Sequence, residues 1–245
     1  MRKLAWLAVA AIAVIGVGTA NAQQTPRKGG ALRMTAPYAA SFGSLDPHVT
    51  PRAQDDIVGK ALQRSLYNWN TAANKLELEL AKSVSVSADG LTYTYKLRDD
   101  AFFHNGRKMT ADDVIFSFER QMDAENPYNQ YVEGASWEYF NGMSMPDLIE
   151  SIEKVDDMTV KFKLKRAEAP FVANLAMDFA SIMSKEYADK LAESGAMSDL
   201  NQKPVGTGPY QFVAYQPDAV IRYKANPDYW NGKEAIDDLV FDDDF

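Results

Sequence analysis

Two stretches far apart in the chain alternate apolar and polar residues with a strict period of two. In "LTYTYKL", Leu91, Tyr93, Tyr95 and Leu97 fall on one face and Thr92, Thr94 and Lys96 on the other. In "MTVKFKL", Met158, Val160, Phe162 and Leu164 alternate with Thr159, Lys161 and Lys163. Strand side chains point alternately to opposite faces, so each segment predicts a half-buried strand whose apolar face needs a cover. Between them, Ala111 to Met122 sets Val114, Ile115, Phe118 and Met122 on one side of a helix. Strands and helices mixed without regular βαβ alternation predict a mixed α/β (α+β) fold.

The remaining segments fit that class. "GGALRMTAPY" reads as a first strand after a Gly29-Gly30 break. "DDIVGKALQRSLYNW" spaces Ile57, Ala61, Leu62, Ser65 and Leu66 as a helix does, with Asp55 and Asp56 at its start. "SKEYADKLAES" predicts a helix closed by Gly195. "PYQFVAYQPDAVIRYKAN" predicts two strands around Gln216-Pro217-Asp218, and "IDDLVFDDDF" a last strand.

Export is written at the front end. Arg2 and Lys3 precede an apolar run from Leu4 to Gly18 and an Ala20-Asn21-Ala22 cleavage site, so residues 1–22 read as a secretory signal peptide cut after Ala22. The run is short for a membrane span and no basic cluster follows it. The chain has no cysteine, so an exported product carries neither a disulfide nor a cysteine-linked lipid and must be held by its core. With 46% apolar residues and 12 tyrosines that core is available. Net charge is −8, and losing Arg2 and Lys3 takes it to about −10. An acidic chain with no basic run argues against nucleic acid as a partner. A freely soluble periplasmic protein is expected.

Chemistry is harder to find. "FFHNGRKMTADDVIFSFER" holds one of only two histidines beside Asp112 and Asp113. Thr110-Ala111-Asp112-Asp113 matches a capping box, in which Asp113 reaches back to the Thr110 amide, and Asp112 suits the positive end of the helix dipole. Asn105-Gly106 supplies a turn, with His104 on it. "PVGTGPY" lacks the following lysine and helix of a phosphate loop and reads as a rigid backbone crossing. The aromatic run "NPYNQYVEGASWEYF", with Tyr128, Tyr131, Trp137, Tyr139 and Phe140, suits either a ligand cleft or a core under a long loop. No G-x-S-x-G elbow appears, and His48 and His104 are the only histidine bases for a secreted hydrolase. Two separated histidines without cysteine do not make a nickel site.

The order of the pieces is more telling than any one of them. "SLDPH", then "LTYTYKLRDDAFFHNGRKMTADDVIFSFER", then "VGTGPYQF", then "NPDYWNGKEAIDDLVF" resembles the periplasmic substrate-binding proteins of ABC importers, in the peptide/nickel/opine (dipeptide- and oligopeptide-binding) family. The likeness runs from about Gly29 to Phe241. It implies a periplasmic binding protein-like fold that closes over its ligand. The first lobe would be discontinuous, with residues 23–63 and 203–245 flanking an additional subdomain of residues 64–202. In the family a second closing lobe follows the last strand. The sequence stops at "FDDDF", so a truncated, weakly binding product or a fragment is expected.

The resemblance also implies a solute, most often a short peptide, and permease subunits as partners of a monomer. It implies no catalytic residue, no metal and no cofactor. Opines, oligosaccharides, nickel complexes and other small solutes stay open. Ligand-facing positions carry over to Pro51, Arg52 and Ala53, to Tyr128 or Tyr131, and with them Trp137 on the aromatic run. Proline has no amide hydrogen to pair with a peptide, which departs from the family pattern.

Overall fold

The computed structural model describes residues 28–35, 44–49, 55, 58–123, 125–129, 131–132, 137–217 and 219–242. The expected signal peptide and cleavage site, and Pro51, Arg52 and Ala53, lie outside them. Ten strands occur among the described residues: β1 Ala31–Thr35, β2 Tyr67–Asn70, β3 Lys75–Leu78, β4 Ala81–Val86, β5 Thr92–Leu97, β6 Ile149–Asp156, β7 Thr159–Leu164, β8 Tyr210–Gln216, β9 Val220–Ala225 and β10 Asp238–Asp242. The two longest helices are α1, Ala111–Met122, and α2, Lys185–Ser194.

Both alternating segments become strands of one antiparallel sheet in the order β4-β5-β7-β6. Tyr93 lies opposite Phe162 and Tyr95 opposite Val160, so their apolar faces coincide. Helix α1 covers that face: the Phe118 ring meets Phe162 edge-on at 5.1 Å, and Phe162 meets Tyr95 at 5.8 Å. Val114 and Phe118 are fully buried. Each such side chain withdrawn from water contributes about 1.5–3 kcal/mol. The start of α1 carries the expected capping box, with the Thr110 amide donating to the Asp113 carboxylate at 2.8 Å. Its opposite side sends Phe116 into a smaller apolar cluster with Met183, Leu191 and Leu200 beneath α2. Helix α2 ends, as expected, at Gly195 in the left-handed conformation.

The second sheet joins the two ends of the described chain. Its order is β1-β10-β9-β8. β1 runs parallel to β10, with Leu32 beside Leu239 and Met34 beside Phe241, and the other pairs are antiparallel. Leu45, Val58 and Leu62 pack with Ile221, Tyr223, Leu239 and Phe241 of this sheet.

One expected element is cut short. Helical backbone is found at Asp55, Val58 and Gly59, but residues 60–62 form a turn and β2 begins at Tyr67. The helical spacing of Ala61, Leu62, Ser65 and Leu66 is therefore not realised as a helix. A continuing helix would use the carbonyls of Ala61 and Leu62 internally. Here they accept instead from the amides of Tyr210 and Gly208, at 3.0 and 2.8 Å.

That crossing explains the Gly-x-Gly spacing of "VGTGPY". A Cβ on Gly206 would lie 1.9 Å from the Leu62 carbonyl oxygen, and one on Gly208 2.6 Å from the Leu62 carbonyl carbon. Neither backbone can yield without losing the hydrogen bonds. We expect Gly206→Ala and Gly208→Ala each to lower unfolding free energy by about 2–3 kcal/mol or more in urea denaturation. Gly142→Ala, with open space around the new Cβ, is expected to be close to neutral.

Candidate functional site

His104 is placed by the turn that carries it. The Gly106 turn (φ 84°) folds the chain back, and Phe102 bridges Lys108 across it. The His104 amide donates to the Gly206 carbonyl at 2.9 Å. Its ring spans the glycine segment: Nδ1 accepts from the Gly206 amide at 3.2 Å, and Nε2 lies 3.0 Å from the Gly208 carbonyl. An imidazole that accepts at Nδ1 and donates at Nε2 is neutral. Loss of solvent around the ring lowers its pKa from 6.5 to about 4, against the opposing Gly208 hydrogen bond. His104 is a backbone clasp.

Asp113 is equally committed. Arg107 donates to both its oxygens at 2.6 and 2.7 Å, and the amides of Thr110 and Lys185 add 2.8 and 2.9 Å contacts. Burial raises its pKa, while the two amides and Arg107 oppose the shift. Asp112 faces outward to Lys154 at 2.7 Å. Neither carboxylate has a geometry for acid–base work.

A denser constellation lies around Arg120, on the last turn of α1. Its side chain and that of Asp46 are both fully buried and meet at 2.9 Å. The Tyr131 hydroxyl donates to Asp46 and accepts from Arg120 Nη2, the latter at 3.0 Å. Arg120 Nε reaches Asn129 at 3.3 Å, and its guanidinium lies 5.2 Å from the Trp137 ring centre. Burial alone would raise the Asp46 carboxyl, but Arg120, His48 and Tyr131 together hold it below its usual range. His48 sits 2.7 Å from the Ser181 carbonyl through Nε2, and burial lowers it to about 4. The network ties the 44–49 loop to α1 and to the aromatic run.

The aromatic candidates divide. Tyr131 and Trp137 both converge on Arg120, with Trp137 only 4% exposed. Tyr128 turns elsewhere: its ring packs edge-on against Phe116 at 5.0 Å and its hydroxyl donates to Asp189. Phe140 lies fully in the main core. Arg120 and Asp46 escaped the sequence reading, because an arginine on an amphipathic helix normally faces water. The one available signal was Arg120 falling in line with Phe116 and Asp113 on that helix. Among the described residues no three His, Cys, Asp or Glu side chains gather as a metal site, and no helix is long and apolar enough to cross a membrane.

Residues 75–243 match the family described as "Bacterial extracellular solute-binding proteins, family 5 Middle". The chain belongs to this family. Among curated family members, the dipeptide-binding protein of Escherichia coli (strain K12) is 53% identical over 192 residues, covering 76% of this chain and 36% of the relative. Heme-binding protein A of Haemophilus influenzae is 42% identical over 181 residues, covering 71% and 33%. A solved structure, the ABC transporter-associated periplasmic binding protein DppA from Helicobacter pylori in complex with peptide STSA, superposes with a TM-score of 0.81 at 38% identity, covering 88% of this chain and 43% of that one. The chain thus spans well under half the length of these relatives.

Breaking the buried Arg120–Asp46 pair is costly. Removing one partner strands the other as an uncompensated buried charge, which costs about 3–5 kcal/mol. We expect Arg120→Met to destabilise by that amount in chemical denaturation. The double variant Asp46→Asn/Arg120→Met is expected to lose clearly less than the sum of the two single losses.

Histidine burial adds a pH dependence. Unfolded, His104 takes up a proton near pH 6.5; folded, only near 4. Stability present above pH 6.5 is therefore lost as pH falls through this window, because the unfolded chain binds the extra proton. Glu79, raised to about 7 chiefly by burial, acts oppositely: its share is lost as pH rises from 4.5 through 7. A variant isolates the histidine. Between about pH 7 and pH 5 the native protein is expected to lose stability relative to His104→Gln; parallel curves would show that the ring is not held neutral.

Proposed function

We propose that this chain is the capturing part of an extracytoplasmic solute-binding protein that delivers short peptides to an ABC transporter permease. The carrying observation is the 0.81 superposition, over 88% of the chain, on a structure that holds a peptide. The 53% identity to a dipeptide-binding protein supports the same ligand class. On this reading residues 1–22 direct export and are removed after Ala22, and the protein works in the periplasm as a monomer. Function comes from binding and closure, with no covalent chemistry. The role that His104 and Asp113 have in holding backbone supports this over a hydrolase.

Residues 23–63 and 203–245 would form one discontinuous lobe, with residues 64–202 as its additional subdomain. The parallel pairing of β1 with β10 favours that division. The proposed solute face comprises the backbone of Pro51, Arg52 and Ala53 with Tyr128, Tyr131 and Trp137. In it Tyr131 acts as a fixed wall backed by the buried Trp137, since Arg120 and Asp46 engage the Tyr131 hydroxyl. Their rigidity limits the ordering cost of capture.

Native mass spectrometry of the protein as its gene encodes it, purified gently from periplasm, tests the reading. Bound masses of di- and tripeptides are expected. A bound heme, opine or oligosaccharide in their place would replace the ligand class, and turnover of peptides that disappears in His48→Ala or His104→Ala would overturn the binding role altogether.

A further inference from the structure

The chain's two histidine rings are both buried, but they are held differently. The His104 ring is engaged at both nitrogens. The His48 ring is engaged at one: Nε2 donates to the Ser181 carbonyl at 2.7 Å, while Nδ1 is closed off from solvent with no hydrogen-bond partner among the described residues. With its proton on Nε2 the imidazole is neutral, and its basic lone pair points from Nδ1 into protein. A buried polar atom left without a partner is rare and calls for a reason.

The surroundings of that ring are charged. Asp46, two residues back on the same loop, favours a proton on it, and Arg120 of α1 opposes one. Asp46 is already committed: its Oδ2 takes Arg120 at 2.9 Å and the Tyr131 hydroxyl, and its Oδ1 takes the His48 amide at 3.0 Å. From residues 178–184 the Ser181 carbonyl reaches the ring, and it is filled by Nε2. A proton gained at Nδ1 therefore sets a second cation beside Arg120 in a dry site, with a new N–H that has no acceptor. Burying a charge on those terms is costly. Burial accordingly lowers the ring's pKa from 6.5 to about 4, against the attraction of Asp46. Burial would raise Asp46 itself, but Arg120 and His48 outweigh it, so this carboxylate stays ionised throughout that interval.

The ring's place in the loop gives it leverage. Leu45 is anchored in the core of the β1-β10-β9-β8 sheet and Asp46 on Arg120. Val49, after the ring, is only partly buried, and its amide meets the Asp46 carbonyl at 3.3 Å. Ser181 thus holds the far end of the turn through His48.

We propose that His48 is an acid-released latch on the 44–49 loop: when Nδ1 gains a proton, the ring and Val49 leave their places while Asp46 stays on Arg120. The loop leads in sequence to Pro51, Arg52 and Ala53, so solute capture weakens in acid. That consequence rests on the proposed solute face, whereas the latch itself does not.

Amide hydrogen exchange followed by NMR tests the latch. The ring takes up a proton near pH 6.5 once released and near 4 while seated, so falling pH favours release. Protection factors of the His48 and Val49 amides are expected to drop at least about tenfold between pH 7 and pH 5. At pH 5 these two amides should exchange ahead of those paired between β5 and β7. In His48→Gln, whose amide can donate to Ser181 but does not titrate, the drop should vanish. Equal drops in both proteins would overturn the latch, as would a turn that opens only together with β5 and β7. If His48→Gln fails to fold, ring titration decides. His104→Gln leaves His48 as the one histidine, and a ring signal titrating near 6.5 in that folded protein would refute the proposal. Dipeptide affinity of the protein as its gene encodes it, at pH 7 and pH 5, reads the consequence separately. Release with unchanged affinity would support the latch and remove residues 51–53 from the solute face.

Discussion

The fold depends on one close backbone crossing, where Gly206 and Gly208 lie against the carbonyl of Leu62. Three backbone hydrogen bonds hold it, Gly208 to Leu62, Tyr210 to Ala61 and the His104 amide to Gly206, and the His104 ring adds two more. The crossing ends the helical turn after Gly59 and starts β8 at Tyr210. It also brings the His104 turn of the antiparallel α/β layer onto the sheet built from the chain's two ends. No side chain beyond hydrogen fits at either glycine, so the approach of the two layers is set by backbone atoms. Flexible side chains would leave that distance soft, whereas stacked peptide groups do not.

A second constraint is electrical. Arg120 and Asp46 are paired with no access to water, and Tyr131, Asn129 and the Trp137 ring complete the guanidinium's surroundings. Such a pair gives little net stability compared with apolar residues of the same volume. It does fix direction, because guanidinium and carboxylate bond only in a few orientations. The 44–49 loop, helix α1 and the aromatic run are thereby held in register.

Much of the fold was legible in the sequence because its signals are local. The alternation in Thr92–Leu97 and Thr159–Leu164 depends only on neighbours two apart, and both became strands of one sheet. The capping box at Thr110 and the closing glycine at Gly195 depend on contacts within one turn. The Asp55–Trp69 segment misled for the complementary reason. Val58, Leu62 and Leu66 do face a core, but partners at Gly208 and Tyr210 claim the carbonyls of Leu62 and Ala61. The site was less legible still. Arg120 and Asp46 look like ordinary surface residues until distant segments cover them.

From sequence alone follow the absence of disulfides, the α+β class, the local signatures of strands and caps, and, through the order of those signatures, the family. Each rests on residues close together in the chain or on composition. Only the tertiary structure decided that β1 lies alongside β10, that Leu62 is a crossing point where a helix was expected, and that Arg120 is buried against Asp46. These pair residues far apart in the chain, and no local pattern encodes which distant carbonyl or carboxylate will be within reach once the layers pack.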